Sequence, residues 1–283
     1  MTLQPIFEFG GAQDAPLIHV AVANGFPPQT YLPLVQSLTE RYRVVSLPPR
    51  ALWPEAQDPA QLRSWREVAD DLLRGLRHYD LKEVIAIGHS FGGIASLLAA
   101  IEEPSRFRGL CLLDPTVMSP KASEQIAIVQ QNGQMDAMPL VQGALRRRRQ
   151  FASVEAAHEY FKSKPLFSTW PAETVRLYAE SMMQAAADGE GMELTWSPEW
   201  EAQYYRHVFP YSWEVLPRTP DDLLILTLRG TNSDTLSSES VARMQAILPQ
   251  MRYGEISGGH LFPQTAPAAT REAIMPWLET LGD

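Results

Sequence analysis

The string Gly88-His89-Ser90-Phe91-Gly92-Gly93 stands directly after a short apolar run, Val84 to Ile87, and directly before a helix-like run, Ile94 to Ile101. A Gly-x-Ser-x-Gly string alone arises often by chance, but few strings sit where a strand must turn sharply into a helix. A serine at the tip of such a turn is held in a strained backbone conformation, and the neighbouring segments pass so close that positions 88 and 92 must be small. The helix beyond it points its positive end and its free amides back at the hydroxyl, which suits a developing oxyanion. The feature therefore predicts a strand, a tight turn and a helix at the carboxyl edge of a sheet, with Ser90 as candidate nucleophile.

The rest of the chain supplies a sheet for this turn to sit in. Apolar runs rich in β-branched residues recur at Leu17 to Val22, Arg43 to Leu47, Val84 to Ile87, Leu110 to Leu113 and Leu223 to Leu228, and they read as buried parallel strands. Between them lie helical patterns, most clearly Trp65 to His78, where Trp65, Val68, Ala69, Leu72, Leu73 and Leu76 share one face. Ser64 is placed to cap that helix, with Glu67 completing a capping box. Alternation of this kind predicts an α/β fold with a mostly parallel, doubly wound sheet and ligands at the carboxyl ends of its strands. From Pro115 to Pro217 the alternation stops; the segment is helix-like, rich in Met, Tyr and Trp, and broken by Pro139, Pro165, Pro171 and Pro198. It then resumes with Leu223 to Leu228, a helix from about Ser237 to Leu248, a short strand near Met251 to Ile256 and a last helix through Trp277. The expected organisation is one core made of residues 1–115 and 217–283, with residues 116–216 inserted as a helical cap.

With this context the chain resembles the α/β-hydrolase superfamily over essentially its whole length. The resemblance implies a serine, a histidine and an acid acting together. A hydroxyl is a weak nucleophile at neutral pH and needs a base within hydrogen-bond reach. Of the six histidines, His260 stands in the Gly-rich loop Ser257 to Pro263, after the last strand and before the last helix, where the superfamily carries its histidine. His19 falls within a strand, His89 beside the nucleophile, His78 on a polar helix face, and His158 and His207 in the insertion. Asp234, after the strand Leu223 to Leu228, gives the order Ser, Asp, His and is the expected acid; Asp114, at the end of the strand Leu110 to Leu113, is the rival. The oxyanion hole is expected from the backbone amides of Phe91 and Phe26, the latter in the loop Asn24-Gly25-Phe26-Pro27-Pro28, which is similar to a His-Gly-x-Pro turn with Asn24 in place of the histidine.

These residues imply a carboxylic ester hydrolase working through an acyl-enzyme on Ser90, without metal or organic cofactor. Lactone hydrolysis, C–C bond cleavage and cofactor-free perhydrolysis use the same three residues and stay open. So does a ligand-binding protein or receptor on a hydrolase scaffold.

Composition narrows the partners. Lys plus Arg is 24 against 33 for Asp plus Glu, a formal charge of −9, which repels nucleic acid and anionic membrane surfaces. The expected partner is a small-molecule substrate. The single cysteine, Cys111, lies in an apolar run and excludes an internal disulfide. Met1 to Gly11 lacks the pattern of a secretory signal, so a soluble cytoplasmic enzyme is expected. The basic run Arg146 to Arg149 reads as a solvated helix face. Of the large side chains in the insertion, Phe151, Phe161, Phe167, Trp170, Tyr178, Met182, Met183, Trp196 and Trp200, most are expected to form its core and a minority to line an apolar pocket above Ser90.

Overall fold

The computed structural model describes residues 4–55 and 58–282, so the first three residues of the Met1–Gly11 stretch lie outside it. Its centre is a seven-stranded sheet: β1 (Phe7–Gly10), β2 (Leu17–Ala21), β3 (Arg43–Ser46), β4 (Val84–His89), β5 (Phe107–Leu113), and, after a long insertion, β9 (Leu224–Gly230) and β10 (Arg252–Ile256), arranged in the order β1-β3-β2-β4-β5-β9-β10. Only the edge pair β1 and β3 is antiparallel; every other pairing is parallel. The five runs and the short sixth strand expected from the sequence all pair in this sheet. β1 was not expected: at four residues ending in Gly10 it is too short to show a period, and pairing with β3 rather than its own pattern holds it in place.

The central strands are buried on both faces. All six residues of β4 and all five of β2 are buried, which is why they read as continuous apolar runs rather than as alternation. The helix α1 (Trp65–His78) buries the six apolar residues that its 3.6-residue period places together and packs on α2 (Phe91–Glu102). Ser64 caps α1 by accepting the Arg66 amide, but Glu67 turns away from the expected box: it takes the Arg63 amide at 2.9 Å and pairs with Arg50. The competing guanidinium wins because Arg50 is itself anchored by the buried carboxylate of Asp71.

Between β5 and β9 the chain forms α3 (Pro120–Gln131), α4 (Pro139–Leu145), α5 (Val154–Lys162), α6 (Ala172–Met182) and α7 (Pro198–Arg206), together with a small antiparallel sheet of β6 (Gln150–Phe151), β7 (Met183–Ala185) and β8 (Met192–Leu194) in the order β6-β8-β7. The helices follow the sequence pattern, several of them opened by the prolines that interrupt it. The small sheet was missed, because strands of two or three residues carry no periodicity. The insertion is fastened to the sheet layer by buried polar contacts: the Trp65 indole donates to the Tyr204 carbonyl at 2.8 Å and the Gln203 amide to the Leu62 carbonyl at 2.8 Å. Apolar packing runs unbroken from the sheet into the insertion through Trp65, Phe91 and Tyr204. Two more helices, α8 (Ser238–Ile247) and α9 (Pro267–Thr280), complete the layers beside β9 and β10. Among the described residues no helix is long and apolar enough to cross a membrane.

Candidate active site

Ser90 stands at the end of β4 with φ 55° and ψ −117°, a left-handed conformation that costs a non-glycine residue about 1–3 kcal/mol. The turn is held from outside. The Ser90 amide donates to the Leu113 carbonyl at 3.0 Å, and a Cβ at Gly88 or Gly92 would strike backbone within 2.7 and 2.3 Å. The small residues are thus demanded by close approach, as the sequence implied. Phe91 opens α2, so its amide has no acceptor within the helix.

His260 reaches Ser90 from the loop after β10: its Nε2 lies 2.9 Å from Ser90 Oγ, and its Nδ1 lies 2.7 Å from Oδ2 of Asp114. The acid against the histidine is therefore Asp114, and the expected pairing with Asp234 is not formed. Asp234 is exposed at the cavity wall, and among the described residues its carboxylate meets only the Thr235 hydroxyl, at 3.4 Å. Asp114 is wholly buried at φ 43°, immediately beyond β5, where the turn swings its carboxylate toward β9. There the Gly230 amide donates to Oδ1 at 2.9 Å and the Ser233 hydroxyl to Oδ2. The end of β9 and the loop after it thus supply hydrogen-bond donors to the acid instead of the acid itself. With Asp114 accepting at Nδ1, that nitrogen carries the proton and Nε2 is free to accept from Ser90.

Two neighbours were not anticipated. Thr116 Oγ1 lies 3.3 Å from Ser90 Oγ, an alternative partner for the hydroxyl; nothing in its sequence context marks it. His89, noted in the sequence only as standing beside the nucleophile, belongs to a buried relay. The Ala23 amide donates to Tyr31 Oη at 2.9 Å, the phenol donates to His89 Nδ1 at 2.8 Å, and Nε2 donates to the His260 carbonyl at 3.0 Å. Burial, and then the charge of nearby His260, hold His89 well below the usual histidine range, so it stays neutral in the tautomer this relay needs. The relay ties the loop after β2 to the loop that carries His260.

The loop after β2 departs from expectation in one respect. The Phe26 amide, expected as an oxyanion donor, closes a turn onto the Ala23 carbonyl at 3.2 Å, so an oxyanion would have to compete for it. The loop is also gripped by the insertion. Asn24 Nδ2 donates to the Glu201 carbonyl at 3.0 Å, and the Tyr178 hydroxyl donates to the Gly25 carbonyl at 3.4 Å. Arg147 pairs with the Glu201 carboxylate and donates to Tyr178 Oη at 2.8 Å. Burial pulls the Arg147 guanidinium down, but Tyr178 and Glu201 together outweigh it and hold it above its usual range. Gly25 takes φ 85° beneath this pair, where a Cβ would meet Glu201 at 3.4 Å. The basic run is therefore not uniformly solvated: Arg147 turns inward while Arg146, Arg148 and Arg149 stay exposed.

Ser90 and His260 open into a cavity of about 1220 Å³ between the strand ends and the insertion. Of the nine large side chains singled out in the insertion, Phe161, Phe167, Trp170 and Tyr178 line it, and the other five pack elsewhere. A model of the alpha/beta hydrolase family matches residues 17–273, from β2 into α9 and so across the whole site. The chain belongs to the alpha/beta hydrolase family. Among curated proteins, this hydrolase is 23% identical over 256 residues to the "Putative carbamate hydrolase RutD" of Caulobacter vibrioides, covering 88% of this chain and 85% of that one. Among solved structures, E-2-(acetamidomethylene)succinate hydrolase superposes with TM-score 0.75 at 20% identity, covering 97% of this chain and 94% of the other. A thioesterase domain from the curacin biosynthetic pathway does so with TM-score 0.75 at 16% identity over 95% and 94%. At these identities the hydrolase shares a fold with both structures.

Proposed function

We propose that this hydrolase cleaves carboxylic esters through an acyl-enzyme on Ser90. The observation that carries the reading is the unbroken chain from Ser90 Oγ through His260 to Asp114, at 2.9 and 2.7 Å. His260 Nε2 takes the hydroxyl proton as Oγ bonds to the carbonyl carbon, and Asp114 stabilises the imidazolium that forms. The oxyanion receives the Phe91 amide and, in exchange for its turn bond, the Phe26 amide. On collapse the C–O bond to the alcohol breaks, and the leaving oxygen takes the proton from His260. Water, deprotonated by His260, then attacks the acyl carbon and releases the acid with Ser90 restored. Residues 116–216 act in this reading as a lid, whose Phe161, Phe167 and Trp170 favour an apolar part in the substrate.

Turnover of 4-nitrophenyl butyrate and labelling by a fluorophosphonate test the reading. Wild type should be labelled stoichiometrically, and Ser90→Ala should escape labelling and lose about 10⁴- to 10⁶-fold in kcat. Retention of most activity by Ser90→Ala, or labelling at another residue, would end it. Labelling without turnover on any ester of a wide panel would point instead to a binding protein.

A further inference from the structure

Charge on the cavity wall is unevenly balanced. Arg147 is neutralised by Glu201, and Asp234, in the loop after β9, is exposed at the cavity wall and pairs with neither of the other two cations. The two remaining cations, Arg148 and Lys164, line the same cavity, and neither forms an ion pair among the described residues. Both are instead gathered on aromatic rings of the insertion. Lys164 Nζ sits 4.0 Å from the Tyr160 ring centroid, and the Arg148 guanidinium carbon sits 4.6 Å from that of Phe151 and 5.6 Å from that of Tyr160. Tyr160 itself lines the cavity. Ring faces hold the two cations in place without neutralising them. In a chain of net charge −9 with carboxylates to spare, two like charges around one ring are left facing the cavity that contains Ser90. The carboxylates of the same stretch do not reach them: Glu155 lies toward Arg176, and Glu159 lies with His158 and Lys162.

We infer that Arg148 and Lys164, held around Tyr160, form an anion subsite that selects esters whose acyl chain ends in a carboxylate. The inference rests on the proposed serine-esterase reading and names its substrate class. The reacting ester lies at Ser90, the apolar chain runs past Phe161 and Phe167, and the terminal carboxylate comes to rest between the guanidinium and the ammonium. The anion relieves the repulsion between the two cations and takes a charge-assisted hydrogen bond from each.

The test uses the whole protein and mono-4-nitrophenyl esters of succinic, glutaric, adipic and suberic acids, each against its methyl-capped, neutral counterpart. At low salt at least one half-acid should exceed its neutral counterpart by about tenfold or more in kcat/KM, mainly through KM, and the advantage should shrink as salt screens the pair. The double variant Arg148→Gln/Lys164→Gln should bring that ratio to one or below, while Arg146→Gln, an exposed cation of the same run that does not line the cavity, should leave it unchanged. A ratio near one in the wild type, or a ratio that survives the double variant, overturns the inference. Both variants alter exposed or half-exposed side chains, and circular dichroism checks that they fold. Neutral 4-nitrophenyl butyrate hydrolysis separates the two proposals: if it persists and depends on Ser90 while the half-acids gain nothing, the subsite fails and the esterase reading stands.

Discussion

At the scale of single residues, the acid of the site turns on where a carboxylate is aimed rather than on its order in the chain. Asp114 and Asp234 both lie between Ser90 and His260 in sequence, so the order Ser, Asp, His admits either. What separates them is burial and the donors around each. Asp114, at φ 43° with no exposure, receives the Gly230 amide and the Ser233 hydroxyl besides His260, while Asp234 faces solvent. The positive φ follows from the chain leaving β5 toward β9, a tertiary circumstance invisible in Leu-Asp-Pro read locally. Asp114→Asn should keep the fold and lower kcat by about 10⁴-fold, because an amide at Nδ1 favours the wrong tautomer of His260. Asp234→Asn should change kcat by no more than about twofold, as for an ordinary surface substitution. Steady-state kinetics on one activated ester checks both, and a reversed ranking would restore Asp234. Ser90 and His260 were legible because their constraints are local: small residues before and after a strained turn, and a Gly-rich loop between a strand and a helix. Thr116 and His89 were not, since a threonine after a turn and a histidine beside a serine look alike whether or not they touch the site.

Secondary-structure elements matter here through what they hold still. The loop after β2 carries Phe26, and it is gripped from two sides: by the Tyr31–His89 relay to the His260 loop, and by the Arg147–Glu201 pair of α7 and the segment after α4. The pair is mostly buried, and its worth lies in each charge not being left alone. Arg147→Met strands the Glu201 carboxylate beside Gly25 and should destabilise by about 3–5 kcal/mol. Arg147→Met/Glu201→Gln removes both charges and should recover most of that loss. Urea unfolding of the two variants gives the comparison, and equal stabilities would mean that the ion pair is not a unit. Tyr31→Phe is the parallel test of the relay. It leaves the Ala23 amide and His89 Nδ1 buried without a partner, at a cost of about 1–3 kcal/mol in the same assay. These contacts explain why the run Arg146 to Arg149 misled as sequence: α4 ends at Leu145, so four consecutive arginines leave a helix rather than line one face, and each points its own way. Long apolar strands and the amphipathic α1 declared themselves by period, whereas β1 and the small sheet are too short to have one and exist because neighbours offer them hydrogen bonds.

On the scale of the whole molecule, the parallel sheet was readable because burial on both faces forces unbroken apolar runs, and the exceptions within those runs have consequences. His19 interrupts β2 and is 1% exposed. Its Nε2 accepts the Leu47 amide at 3.1 Å, so the proton sits on Nδ1, which has no hydrogen-bond partner among the described residues. Burial lowers its pKa from 6.5 to about 3, and burial likewise holds His89 far below the usual range. Both residues fold as neutral imidazoles and become cations only in the unfolded chain at moderately acid pH. The unfolded state then binds more protons than the native state, so stability rises with pH across this window. For His19 the contribution is complete above pH 6.5 and is lost as pH falls from 6.5 toward 3, by about 1.4 kcal/mol per pH unit once well below 6.5, and His89 acts in the same direction. Above about pH 5 ordinary carboxylates remain ionised in either state, which leaves the range from 6.5 to 5 to the histidines. His19→Gln offers an amide oxygen to Leu47 without a titrating group. Urea midpoints between pH 7 and 5 should therefore fall with a slope about one proton shallower in His19→Gln than in wild type, and identical slopes would show that His19 takes up no proton on unfolding.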